Sequence, residues 1–295
     1  MRDRAGLAAG LTTVVLWGSA FVASRAAGEG LSPGSIALGR LLVSTTVLGA
    51  VALVRRQPLP SLPDLLPIAV FGVLWLGVYS ITLNAAERRI DAGTAAMLIN
   101  TGPIVIAILA GIFLREGFPR GLFAGSAIAF AGCVLIGLAT SGSDSRSGLG
   151  LVLCAVAALA YASAVVVQKT VLARVSPFQV TWLGCAIATL VCLPFAPSLV
   201  TQAADAGARA IGWTVYLGLM PTALGFATWS FALRRASAGR VASLNYLIPV
   251  VAIVLAWSAL GERPAWLAFA GGALCVTGVV VARRRPAACR LRESR

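Results

Sequence analysis

Apolar residues fall in ten long runs, at about 5–27, 35–54, 65–86, 92–116, 120–140, 148–169, 178–200, 210–233, 238–260 and 265–282. Charged residues gather in the short stretches between them. A run of about 20 residues crosses a hydrocarbon layer of about 30 Å at a rise of about 1.5 Å per residue. The pattern predicts an all-α, polytopic membrane protein with ten transmembrane helices. Ser141 to Ser147 (SGSDSRS) is the only plainly flexible stretch, and it falls between the fifth and sixth runs. The expected organisation is a first five-helix repeat over 1–140, a linker at 141–147, a second repeat over 148–282 and a basic tail at 283–295.

The two units are related in sequence. Ala92 to Glu116 (AGTAAMLINTGPIVIAILAGIFLRE) returns 146 residues later as Ala238 to Glu262 (AGRVASLNYLIPVVAIVLAWSALGE), with ten of 25 positions identical. Each copy opens on Ala-Gly, carries a proline (Pro103 or Pro249) in mid-segment and closes on a glutamate. The offset persists through Arg88-Arg89/Arg234-Arg235, Gly125/Gly271 and Gly132/Gly278. Nearer the start it is 144 residues, aligning Trp17 with Tyr161 and Pro33 with Pro177. The first run follows Arg2 and Arg4 and resembles a signal peptide, but its counterpart in the second half marks it as a span. Five spans per half is an odd number, so the halves enter the membrane from opposite sides, as inverted repeats do in many transporters.

Composition agrees with this class. Hydrophobic residues make up 59% of the chain, charged residues 12%, and the mean hydropathy is +0.90. A soluble domain carries about 25% charged residues. The net charge of +14 reflects arginines in short loops and the tail, so no basic soluble domain exists to bind nucleic acid. With the N-terminus inside, the inner segments hold 17 Lys and Arg and the outer loops six, with Arg40 excluded. Both termini are therefore expected in the cytoplasm. There is no histidine and no C-x-x-C, and Cys133, Cys154, Cys185, Cys192 and Cys275 lie in apolar runs, so no metal site or cofactor is expected.

The two five-helix halves resemble the EamA branch of the drug/metabolite transporter superfamily. The likeness runs from about Leu11 to Ala282. It is carried by the Trp17-Gly-Ser start, Arg40 early in the second span and the proline and closing glutamate repeated in the fourth and ninth spans. The resemblance implies a ten-helix carrier of small metabolites such as amino acids or nucleobase-like compounds, with a central cavity between the halves. The four-helix multidrug relatives carry a membrane-embedded glutamate in their first helix. This chain has none there, which separates it from their proton-for-drug exchange.

Polar and large aromatic groups inside apolar runs are the candidates for solute contact, because a polar group in a span costs free energy unless partnered. They are Trp17, Tyr79, Asn84, Asn100, Tyr161, Trp229, Asn245 and Tyr246. Asn100 aligns with Tyr246, and a two-fold relation would bring such equivalents towards each other; the bland alternative is an interhelical hydrogen bond. Arg40 could snorkel to the outer interface, serve an outer gate or hold an anionic group. Pro103 and Pro249 free backbone carbonyls in mid-span, as static bends or as hinges. Glu116 and Glu262, at the membrane edge, are expected to tie short loops. Gly121-x-x-x-Gly125 reads as a packing motif.

These features favour a transporter of a small neutral or zwitterionic metabolite, an amino acid or similar, working by alternating access and acting as an exporter. The expected partners are that solute and membrane lipid. The alternatives are a lipid-linked or nucleotide-sugar carrier of the same superfamily, or a drug efflux protein. An enzyme lacks support: histidine is absent, and Asp64, Asp91, Asp144 and Asp205 all sit in predicted loops.

Overall fold

The computed structural model describes residues 4–87, 89–90, 92–140, 148–260 and 266–283. Ten helices there are long and apolar enough to cross a membrane: α1 Arg4–Ala27, α2 Pro33–Val54, α3 Leu62–Leu83, α4 Thr94–Phe113, α5 Arg120–Ala139, α6 Gly148–Val171, α7 Pro177–Asp205, α8 Gly207–Arg235, α9 Ala238–Leu255 and α10 Trp266–Arg283. The chain is a multi-pass membrane protein. Large apolar side chains such as Leu53, Val54, Phe113, Leu190, Val200 and Trp266 stand exposed on the outside of the bundle, where lipid replaces water.

The repeat is visible in how helices begin. Ser32 caps α2 and Ser176 caps α7, each accepting from the backbone N–H three residues on, at 3.3 Å from Ser35 and 3.2 Å from Gln179. Pro33 and Pro177 follow at the first helical position, where a missing N–H costs nothing. Helix α7 runs further than the apolar pattern predicts, through a 3₁₀ turn at Leu193–Phe195.

Two mid-span irregularities are also repeated. Helix α3 widens to a π-helix at Gly72–Tyr79 and α8 does so at Gly218–Leu224; the two starts are 146 residues apart. Each π segment packs against the other half. A Cβ on Gly72 would lie 2.7 Å from the carbonyl oxygen of Gly184 in α7, and one on Gly218 would lie 2.8 Å from that of Arg40 in α2. Gly184 and Arg40 are themselves 144 residues apart, so the two contacts are copies of one another.

Helices α5 and α10 meet backbone to backbone. A Cβ on Gly125 would approach the Gly278 oxygen to 2.5 Å, and one on Gly132 would approach the Gly271 oxygen to 2.5 Å. Exchanging the halves converts the first contact into the second. The expected packing role of Gly125 is thus fulfilled, against α10. The architecture is two inverted five-helix repeats.

Candidate functional site

The candidate site starts from the wide turn of α8. Pro221 has no N–H and its ring crowds the carbonyl one turn back, which disfavours regular α geometry and suits a π turn. Thr222 donates its hydroxyl proton to the oxygen of Leu217, five residues back, at 2.8 Å. Two neighbouring acceptors on this turn are then used by the first half. Trp17 Nε1 donates to Pro221 O at 3.0 Å, and Arg40 Nε donates to Thr222 Oγ1 at 2.8 Å. Arg40 therefore does not snorkel to the membrane edge: its guanidinium turns across to the middle of α8, where a hydroxyl receives it.

Trp17 belongs to an aromatic cluster assembled from α1, α3, α6 and α8. Trp75 is at its centre, with ring centroids 4.8 Å from Tyr161, 5.0 Å from Phe226, 5.5 Å from Trp229 and 5.7 Å from Trp17. Tyr79, at the end of the α3 π segment, lies 5.9 Å from Tyr161. The rings meet edge-on or tilted, the arrangements the aromatic quadrupole favours. Tyr161 lies directly on the backbone of α4, since a Cβ on Gly102 would come within 2.7 Å of its ring.

At that level α4 and α9 are both irregular. Helix α4 breaks into Ala92–Ile99 and Gly102–Phe113, and α9 passes through a 3₁₀ stretch at Ser243–Leu247. Pro103 and Pro249 each stand second in the helical segment after the irregularity. At that position a proline forfeits no helical hydrogen bond, so they start segments rather than bend continuous helices.

The 3₁₀ stretch separates two neighbouring candidates. Asn245 is buried and donates through Nδ2 to the Tyr161 hydroxyl, while its Oδ1 is buried without a hydrogen-bond partner. Tyr246 points elsewhere, fully buried among Val14, Ala129, Cys133, Ile136 and Val279 beneath α5 and α10. The expected meeting of Asn100 with Tyr246 does not describe this geometry. Asn100 Nδ2 donates at 2.8 Å to Ala96 O in its own helix, and Asn245 is the residue that reaches the aromatic cluster.

Trp229 also has a bonding role. Its Nε1 donates at 3.1 Å to Gln168 Oε1, and Gln168 Nε2 donates at 3.0 Å to Ser230 Oγ. Ser230 in turn shares a 3.1 Å hydrogen bond with Thr181. This fully buried set joins α6, α7 and α8. Gln168 was absent from the sequence candidates because it sits beside Lys169, at what the pattern reads as a helix end. Trp75 was hidden in an apolar run.

At the end of the bundle carrying the α8–α9 turn, Glu116 Oε1 accepts from the backbone N–H of Ala238 at 2.8 Å. Lys169 Nζ donates to the carbonyls of Leu233 and of Ala236, the latter at 2.7 Å. The carboxylate thus faces the positive start of α9 and the ammonium the negative end of α8, each matching the helix dipole. The bond joins Glu116 to the α8–α9 turn; Glu262 and the side chain of Asn84 lie outside the described residues. Among the described residues no group of three or more His, Cys, Asp or Glu could hold a metal ion.

Comparison with known proteins fits this architecture. The chain is 36% identical over 273 residues, 92% of its length and 91% of the other's, to a "Probable terminal-alkyne amino-acid exporter" of Streptantibioticus cattleyicolor. It is 32% identical over 268 residues to an uncharacterized transporter of Bacillus subtilis, covering 90% and 86% of the two chains. It is 26% identical over 280 residues, 92% of each chain, to a "Probable amino-acid metabolite efflux pump" of Salmonella typhimurium. A protein of known crystal structure shares the fold with a TM-score of 0.81 at 23% identity, over 96% of this chain and 97% of the other. The profile of the EamA-like transporter family matches twice, at residues 4–138 and 148–284, once in each half. With both repeats matched across nearly the whole chain, this protein belongs to the EamA-like transporter family and is a membrane transporter, not an enzyme.

Proposed function

We propose that the protein exports a small neutral or zwitterionic metabolite, an amino acid or close analogue, across the inner membrane by alternating access, with both termini in the cytoplasm. The observation that carries this reading is the amide of Asn245, set in the interrupted α9 beside the aromatic cluster, with one end bonded to Tyr161 and the other free. A buried acceptor without a donor is unfavourable, and the ammonium group of an amino acid is a donor that would satisfy it. The rings of Trp75, Tyr79 and Tyr161 offer an apolar wall for a side chain. The names of the Streptantibioticus and Salmonella relatives support both the solute class and the outward direction. A nucleotide-sugar carrier would have to neutralise a diphosphate, and one deep cation suits a single negative charge better.

The test is release from proteoliposomes loaded with labelled leucine, methionine, phenylalanine or propargylglycine. Faster release of at least one than from protein-free liposomes is expected. Release at the protein-free rate for all four, with transport of an apolar drug cation instead, would replace this reading with drug efflux.

A further inference from the structure

Arg40 is the eighth residue of α2, about 10 Å along the helix from its start. Every other charged residue of the described spans stands within three residues of a span end. Arg40 takes no part in the ion pairs seen between described residues, Arg174 with Asp64 and Arg209 with Glu29. Its Nε is committed to Thr222, whose own proton goes to Leu217. The hydroxyl therefore has a fixed direction and holds the guanidinium plane with it. Among the described residues the two terminal nitrogens take no hydrogen-bond or ion-pair partner, and a pair of guanidinium N–H groups matches both oxygens of a carboxylate. Tyr79 and Tyr161, two rings of the aromatic wall, lie 5.9 Å apart. The same α8 turn holds Trp17 through the adjacent Pro221.

We propose that the Arg40 guanidinium is the anchor for the carboxylate of the transported solute, with Thr222 as its positioning residue. This rests on the reading of the chain as an amino-acid exporter. The carboxylate is held at Arg40, the ammonium stands on the adjoining carbon, and the side chain extends towards the Tyr79–Tyr161 pair. The repeat supplies no second such cation, because the position equivalent to Arg40 in α7 is Gly184. A Cβ there would lie 2.4 Å from the Phe71 ring, so no longer side chain fits. The solute class is accordingly one with a single carboxylate.

The experiment compares leucine, methionine, phenylalanine and propargylglycine with their carboxamides, in proteoliposomes holding wild type, Arg40→Gln, Arg40→Lys or Thr222→Val. Wild type is expected to prefer the free acid to the amide at least tenfold in KM. Arg40→Gln should erase that preference by raising the KM of the acid and leaving that of the amide in place. Arg40→Lys should keep part of it. If Arg40→Gln does not fold, Thr222→Val answers the question, raising the acid's KM about threefold or more with the amide unchanged. Wild type that moves acid and amide alike, or an Arg40→Gln or Thr222→Val variant that keeps the full preference, overturns the anchor and leaves amino-acid export standing. Wild type that moves neither overturns both.

Discussion

The hydroxyls of Thr45 in α2 and Thr189 in α7 hydrogen-bond to each other at 2.9 Å, and the two residues are 144 positions apart, the offset between the halves in this region. Equivalent residues can touch only where the two-fold axis passes between them. The second such point is the Cys275 Sγ contact with Ala129 O at 3.5 Å, between residues 146 apart. A line through these two pairs is the axis about which the halves are exchanged, and Arg40 stands on α2, the helix that carries Thr45.

The close approach of α5 and α10 predicts a sharp difference between two glycines of one helix. A Cβ at Gly278 would sit 2.3 Å from the backbone nitrogen of Ala129, whereas one at Gly272 finds its nearest neighbours in ordinary contact at 3.7 Å. Gly278→Leu is expected to cost about 3 kcal/mol or more, and Gly272→Ala less than about 0.5 kcal/mol. Thermal unfolding of the detergent-solubilised protein measures both. Equal melting temperatures for the two variants would contradict the packing.

Asn245→Ala and Tyr246→Ala should fail in different ways. The first removes a group facing the aromatic cluster and is expected to lower export at least tenfold at normal membrane abundance. The second empties a buried ring position, costs about 3–5 kcal/mol, and should lower abundance and melting temperature together. Flux normalised to protein in the membrane separates the two. Loss of normalised flux only in Tyr246→Ala would place the solute under α5 and α10 instead.

Gln168→Leu leaves Trp229 Nε1 and Ser230 Oγ without their partner in a fully buried setting. Stranding such groups costs about 1–3 kcal/mol each. Gln168→Leu should therefore melt several degrees lower, with Trp229 fluorescence altered. An unchanged melting temperature would mean that water or a neighbour replaces the amide.

Among the described residues no carboxylate stands deep in a span, so none is placed to take up and release a proton at mid-membrane. Collapsing the pH gradient across proteoliposomes is expected to leave the initial flux within about twofold. A flux that vanishes with the gradient would require a protonatable group elsewhere, and Glu116→Gln would be the first variant to examine.

Hydropathy and the repeat made the ten spans and their inverted pairing legible, because both depend only on which residues lipid accepts and on an offset that can be counted. The candidate site was legible in part. Trp17, Tyr79, Tyr161 and Trp229 stood out by their depth, and the structure joins them. Asn245 and Tyr246 could not be sorted from sequence, because the 3₁₀ stretch advances each residue by about 120° instead of about 100°, turning the side chains away from the predicted face. Nor do π turns at Gly72 and Gly218 announce themselves in composition, so the reach of Arg40 to Thr222 was not visible beforehand.

Gly184 occupying the place of Arg40 separates this fused chain from a pair of identical halves. Two copies of the first half would face each other with two guanidinium groups, and two copies of the second half would have none. Joining unlike copies in a single polypeptide allows one charge to stand beside a symmetric framework. The framework of helices keeps its two-fold relation, while this departure from it leaves the interior of α2 and α7 charged on one side of the axis only.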